Sequence, residues 1–181
     1  GVTRVYSTNY SFAALKKDGS VVTWGAPATG GDSSAVSSQL QTDVVKVYSA
    51  EAAFAALKKN GSVVTWGVAD AGGDSSAVTA QLQSDVVKVY STTRAFAALR
   101  KDGAVVGWGS PAHGGDTTQV AANLADVEKI SSSVGTFVAL RKDGTLVSWG
   151  GYPGVGEQNT YFFGTPGGGS ILPPASPSVP S

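Results

Sequence analysis

The sequence contains no cysteine, no methionine and a single histidine, His113. Without cysteine there is no disulfide, no thiolate nucleophile and no cysteine-based metal site. Charge is also scarce. Charged residues make up 14% of the chain, and 13 basic side chains balance 13 acidic ones. A neutral chain offers no electrostatic case for nucleic acid or for an anionic membrane. No apolar run approaches the ~20 residues needed to cross a bilayer as a helix. Because translation starts with methionine and this sequence starts at Gly1, the expectation is a removed leader or a piece of a longer chain, and no leader is there to name the compartment. The lack of disulfides leaves the redox compartment open. Low charge with abundant Ser, Thr, Gly and Ala matches secreted or lumenal surface proteins, so the extracellular space or an organelle lumen is expected over the cytosol.

What is present is a repeat. The segments FAALKKDGSVVTWG (Phe12 to Gly25), FAALKKNGSVVTWG (Phe54 to Gly67), FAALRKDGAVVGWG (Phe96 to Gly109) and FVALRKDGTLVSWG (Phe137 to Gly150) are four copies of one pattern. Trp24, Trp66, Trp108 and Trp149 stand 42, 42 and 41 residues apart. A period of 20–50 residues signals stacked supersecondary units. Each copy reads as two strands around Asp-Gly or Asn-Gly, with a further strand ahead of them at Arg4-Val5-Tyr6, Lys46-Val47-Tyr48, Lys88-Val89-Tyr90 and Lys129-Ile130-Ser131. The expected unit is a three-stranded antiparallel meander, with approximate boundaries 1–43, 44–85, 86–126 and 127–150, followed by a Gly/Pro-rich tail over 151–181.

A two-residue turn with φ > 0 at both central positions would close each hairpin. Pairing then puts Lys17 opposite Ser20, Leu15 opposite Val22 and Ala13 opposite Trp24, with Phe12, Ala14, Val21 and Thr23 on the other face. Both faces are largely apolar, so each small sheet is expected to be covered on both sides. Between units, GGDSSAVSSQL and its copies predict short helices near 33–40, 75–82 and 117–124, with Asp32, Asp74 and Asp116 as N-caps.

The aliphatic-Lys-Asp-Gly-x-Val-x-x-Trp-Gly core resembles the regulator of chromosome condensation repeat. Its ~42-residue spacing is nearest the short version seen in propeller-type β-lactamase inhibitor proteins. The resemblance covers residues 1–150. It implies an all-β fold of β-propeller-like blades, and its functions range over nucleotide exchange, enzyme inhibition and surface recognition. The resembled propellers close with seven blades, and this sequence supplies four. The expected architecture is therefore a partial ring or arc.

No catalytic residue is predicted. There is no His cluster, no phosphate-cradling Gly-Lys-Ser/Thr loop and no paired-carboxylate motif, and neither a cofactor nor a metal is expected. His113 matches Thr29 and Ala71 in other copies, so it reads as a loop residue. The Gly-Gly-Asp motifs recur too far apart to share a calcium ion. The basic pairs Lys16-Lys17, Lys58-Lys59, Arg100-Lys101 and Arg141-Lys142 read as a solvated hairpin edge.

The loop between the first two strands is where the copies differ: Thr8-Asn9-Tyr10-Ser11, Ala50-Glu51-Ala52-Ala53, Thr92-Thr93-Arg94-Ala95 and Ser133-Val134-Gly135-Thr136. A fixed scaffold with one varying set of loops is how repeat folds display a binding face. Tyr10, Glu51 and Arg94 are its contact candidates. Asn9-Tyr10-Ser11 and Asn60-Gly61-Ser62 fit the glycosylation sequon, and Asn9 is the better acceptor because Asn60 belongs to a turn. The tail holds six of the eight prolines, and Tyr161, Phe162 and Phe163 are its candidate hydrophobic anchor. The function expected is a non-catalytic structural or protein-interaction module, a subunit of a larger assembly with protein partners or self-association. The alternative is a secreted ligand-binding or inhibitory propeller with a protein or glycan target.

Overall fold

The structure, a computed structural model, describes residues 1–151. Four three-stranded antiparallel sheets follow one another along the chain. Blade 1 holds β1 (Val2–Ser7), β2 (Ser11–Lys16) and β3 (Val21–Gly25). Blade 2 holds β4 (Val44–Ser49), β5 (Ala53–Lys58) and β6 (Val63–Gly67). Blade 3 holds β7 (Val86–Ser91), β8 (Ala95–Arg100) and β9 (Val105–Gly109). Blade 4 holds β10 (Val127–Ser132), β11 (Thr136–Arg141) and β12 (Leu146–Gly150). The first strands β1, β4, β7 and β10 lie side by side, so the blades radiate from them as an arc that does not close into a ring.

The hairpin register differs from the expectation by one residue. Phe12 pairs with Trp24, Ala13 with Thr23, Ala14 with Val22 and Leu15 with Val21. The cause is the turn. Lys16 N–H donates to Ser20 O at 2.9 Å and Gly19 N–H to Lys16 O at 3.0 Å, which makes Lys17-Asp18-Gly19 a three-residue loop. Only Gly19 takes a positive φ, +78°. Asp18 does not take a positive φ, and its Oδ1 accepts the Ser20 N–H at 3.0 Å and the Ser20 hydroxyl at 2.6 Å. A short polar side chain that bonds its own backbone two residues on fixes this kind of turn. Phe12 and Trp24 therefore share a face and stack with ring centroids 5.4 Å apart.

That shared face is the interlocking surface between blades. Phe54, Ala56, Val64 and Trp66 of blade 2 pack onto Ala13, Leu15 and Val21 of blade 1, together with Leu40. The same set repeats from blade 3 onto blade 2 and from blade 4 onto blade 3. Alanine on one blade receives the flat aromatic pair of the next, which lets the sheets interdigitate at interior density.

The linkers also depart from the expectation. They are 3-10 helices, Ser34–Leu40 and Ser76–Leu82, and the third shrinks to Ala121–Asn123. Asp32, Asp74 and Asp116 are not N-caps; each accepts the backbone N–H two residues on, from Ser34, Ser76 and Thr118. Further 3-10 turns at Pro27–Thr29, Ala69–Ala71 and Pro111–His113 were not foreseen. Asp43, Asp85 and Asp126 adopt φ of +65°, +66° and +54° at the blade junctions. Aspartate is one of the few residues besides glycine that visits this region.

Candidate functional site

The varying loops lie together along one rim of the arc. Asn9 N–H donates to Glu51 O, Glu51 N–H to Thr93 O, and Thr93 N–H to Val134 O, all at 2.8–2.9 Å. This string of backbone bonds holds equivalent loop residues of the four blades side by side, so their side chains compose one surface. Tyr10 is the most prominent member, 70% exposed. Arg94 Nε lies 3.1 Å from Glu51 Oε1 as an ion pair, not an aligned hydrogen bond. Two of the three contact candidates therefore engage each other across the blade 2–blade 3 seam. Beside them a cleft of about 350 Å³ is lined by Asp70, Asp74, Arg94, Ser110 and Pro111.

Asn9 is exposed on this rim. Ser11, the third residue of its sequon, is fully buried, its hydroxyl bonded to Ala26 O at 2.8 Å and to the Thr29 hydroxyl at 2.6 Å. Asn60 Oδ1 accepts from both the Ser62 N–H and its hydroxyl, as its turn role requires. His113 is part of the blade 3 framework: its carbonyl accepts the Thr92 hydroxyl at 2.8 Å and its Nδ1 lies 2.9 Å from Ser110 Oγ. Among the described residues, no group of three or more His, Cys, Asp or Glu could hold a metal ion. No helix among them is long and apolar enough to cross a membrane. Tyr161, Phe162 and Phe163 lie outside the described residues.

The opposite rim carries the Asp-Gly turns, and the basic pairs there behave differently from the solvated edge expected. Only the second member of each pair, Lys17, Lys59, Lys101 and Lys142, is exposed. Three of the four first members brace the linkers: Lys58 Nζ donates to Gln39 O, Arg100 to Gln81 O and Arg141 to Ala125 O at 2.8–3.0 Å. A second feature missed in the sequence lies on the inner strands. Lys46 sits over the Tyr48 ring and Lys88 over the Tyr90 ring, each at 5.0 Å. Burial pushes the Tyr48 phenol above its ordinary pKa, against an opposing hydrogen bond from the Val89 backbone. The Lys-x-Tyr spacing in the sequence, two residues on one strand face, was the available signal.

A third surface is the outward face of blade 1. Phe12 is 43% and Trp24 46% exposed, whereas Phe54 and Trp66 are 0% and 5% exposed. Val5 and Val22 are likewise exposed where their counterparts Val47 and Val64 are buried.

No protein-family model and no curated protein matches the chain. Solved structures do. The structure of Kap60 bound to yeast RCC1 (Prp20) matches with a TM-score of 0.59 at 20% identity, over 82% of this chain and 43% of that one. Prp20p from Saccharomyces cerevisiae, described with its binding properties to Gsp1p and histones, matches with a TM-score of 0.61 at 17% identity, over 95% of this chain and 52% of that one. The chain shares the propeller-blade fold of these structures. Human WBSCR16 shares the fold with a TM-score of 0.52 at 19% identity, over 82% of this chain and 47% of that one. The chain spans about half the length of these proteins. At such identities the likeness establishes the fold, and activity has to be argued from the surfaces.

Proposed function

We propose that the chain is a non-catalytic protein-interaction module that works as a subunit of a larger assembly. The observation that carries this reading is the open face of blade 1. It presents a stacked Phe–Trp pair and two valines to solvent, while the three equivalent faces in the same chain are packed shut. Apolar burial is worth about 25 cal/mol per Å², and soluble proteins rarely leave so continuous an apolar patch bare unless a partner uses it. Prp20p, which shares the fold, is described with binding to Gsp1p and histones. That lends support to protein recognition as the class of function.

The test is a native mass measurement at several concentrations. An oligomer or a tightly retained protein partner is expected, weakened when Phe12 and Trp24 are changed to Ala. The Tyr161, Phe162 and Phe163 to Ala variant tests the second proposed anchor in the same assay. A chain that remains an 18.2 kDa monomer, soluble at high concentration and without a partner, contradicts the reading.

A second reading has its own observation. The loop rim, with exposed Tyr10 and the cleft beside Arg94, suits a ligand-binding or inhibitory propeller with a protein or glycan target. Binding to a glycan array or to a protein panel, abolished by Tyr10→Ala or Arg94→Ala with the melting temperature unchanged, would favour it. A glycan on Asn9 would place the chain in the secretory pathway, and an intact-mass shift reversed by Asn9→Gln would reveal it.

A further inference from the structure

The repeats supply an internal control for the loop rim. A rim residue that recurs from blade to blade serves the scaffold, and a residue found at one seam alone does not. At the seam between blades 2 and 3 the departures are charged, and they converge. Asp70 stands where the other two linkers have Ala28 and Ala112. Arg94 stands where blades 1, 2 and 4 have Tyr10, Ala52 and Gly135. Glu51 stands where the other blades have Asn9, Thr93 and Val134. Asp70 comes from the turn that leaves blade 2 and Arg94 from a loop of blade 3. Both nevertheless line one cleft of about 350 Å³, together with Asp74, Ser110 and Pro111. The matching positions at the first seam are Ala28, Ala52 and Val68, and at the third Ala112, Gly135 and Gly151, with no charge among them.

The charges at this cleft do not balance. Glu51 Oε1 lies 3.1 Å from Arg94 Nε, so the one cation is already met by a carboxylate of its own seam. Asp70 is exposed and has no ion pair or side-chain hydrogen bond among the described residues. Asp74 is common to the linkers and holds its turn. Bonds from the Ser76 hydroxyl and then its backbone N–H keep its carboxyl below the ordinary range, ionised at neutral pH. Two carboxylates on the blade 2 side therefore lack a countercharge. On the blade 3 side Arg94 has donors to spare. Its Nε is buried without an aligned acceptor, and its terminal nitrogens bond nothing among the described residues. A divalent cation is a poor match, because no three His, Cys, Asp or Glu gather among the described residues and a guanidinium stands in the cleft.

We infer that this cleft binds a basic side chain, a lysine or arginine of a protein partner, with Asp70 and Asp74 taking its charge and Arg94 donating to a carbonyl of the partner's backbone. This rests on the loop-rim reading and names its target chemistry. The volume is at the small end of ligand pockets, about 300–1,000 Å³, which suits one side chain and the peptide units around it. Hydrogen bonds between ionised groups are roughly twice as strong as neutral ones. An ammonium or guanidinium is therefore favoured over a sugar hydroxyl at this pair of carboxylates. The charge that Asp70 adds is what separates this seam from the other two.

The test is an NMR titration of the full chain with blocked tripeptides that carry lysine or arginine between two glycines, with norleucine as the uncharged control. Saturable amide shifts at Asp70, Arg94 and Ser110 are expected with both basic peptides and not with the norleucine one. They should weaken in high salt. Asp70→Ala installs the residue that the other two linkers already carry, so circular dichroism and the melting temperature should not change. It should weaken binding of the lysine and arginine peptides about tenfold. Undiminished binding by that variant, binding of norleucine as tight as lysine, or equal shifts at all three seams would each overturn the inference. If the basic peptides leave the rim unshifted while a glutamate tripeptide or a glycan shifts it, the occupant is wrong and the loop-rim reading stands. If none of these probes shifts any rim resonance, both fall.

Discussion

Blades 1 and 2 have almost the same sequence and quite different surroundings. From Phe12 to Gly25 and from Phe54 to Gly67 they differ only at Asp18 and Asn60. Both build the same three strands, the same three-residue turn and the same Phe–Trp stack. Yet in blade 2 the stack is sealed against a neighbour, and in blade 1 it faces solvent. The local fold is therefore set within the repeat, whereas the value of each side chain is set by the blade beside it. This is the behaviour of a one-dimensional stack, where stability divides between unit and interface.

The largest effect that separates the two blades should come from the phenylalanine. Phe54→Ala or Phe96→Ala removes a fully buried ring from an interface of alanines and glycines and should cost about 3–5 kcal/mol. Phe12→Ala should cost about 1 kcal/mol or less, because that ring is already half in water. Urea unfolding followed by circular dichroism measures both. Equal losses would mean that blade 1 is covered in solution.

Next is the tryptophan. Trp66→Phe deletes the indole donor and leaves the Gly30 carbonyl in a buried joint without its partner, a loss of about 1–3 kcal/mol. Trp24→Phe, with no preceding blade in this chain to bond, should be nearly neutral.

Much of this architecture was legible in the sequence, and the failures are instructive. The number of blades and the three-strand order follow from repeated strand patterns and turn residues. The pairing register did not, because Asp-Gly serves both a two-residue turn and a three-residue one. The choice depends on whether the Asp carboxylate bonds the backbone two residues on, a contact with no signature beyond Asp itself. That single residue of slip moved Phe12 to the wrong face and hid the Phe–Trp stack. The left-handed Asp43, Asp85 and Asp126 were missed because nothing local demands them; they follow from the blade-to-blade turn. On the rim, the differing loops singled out Tyr10, Glu51 and Arg94, but the Glu51–Arg94 pairing needed the blades side by side. The repeat period held the clue: Arg94 lies one 42-residue period plus one residue beyond Glu51.

The turns give a smaller contrast, through pH. Hydrogen bonds from the Ser20 and Thr145 hydroxyls, then from their backbone N–H groups, hold Asp18 and Asp143 below the ordinary carboxylate range. Asp32, Asp74 and Asp116 are lowered by equivalent bonds in the linkers, and for Asp116 the backbone bond is the larger cause. A folded-state pKa below the unfolded value, about 3.9 for Asp, contributes stability that is present above that value and lost as pH falls through the folded pKa. The melting temperature should therefore decline below about pH 4. Asn60 makes the same two bonds without titrating, so turn 2 adds nothing to the decline. Asp18→Asn and Asp143→Asn should make the acid limb of the melting curve shallower. Unchanged acid sensitivity in the double variant would shift the cause to other carboxylates.

The smallest effect concerns the rim. Glu51 and Arg94 meet at 3.1 Å with side chains 31% and 38% exposed. Solvent reaches both, so their attraction is screened, and an exposed pair is worth about 0.2–1 kcal/mol. A double-mutant cycle with Glu51→Gln and Arg94→Gln should return a coupling in that range, shrinking in high salt as the Debye length contracts. The comparison with the stacked faces then separates two kinds of residue at the same seam. Phe96 holds blade 3 to blade 2, and its loss should weaken folding whether or not a partner is present. Glu51 and Arg94 contribute little to folding, so their sequence is free to differ from blade to blade. If the rim contacts a partner, single charge removals there should weaken that complex while the melting temperature stays within a few degrees. A large coupling that persists in high salt would instead identify the pair as a structural tie between blades 2 and 3, and Tyr10 would be left as the rim's principal contact.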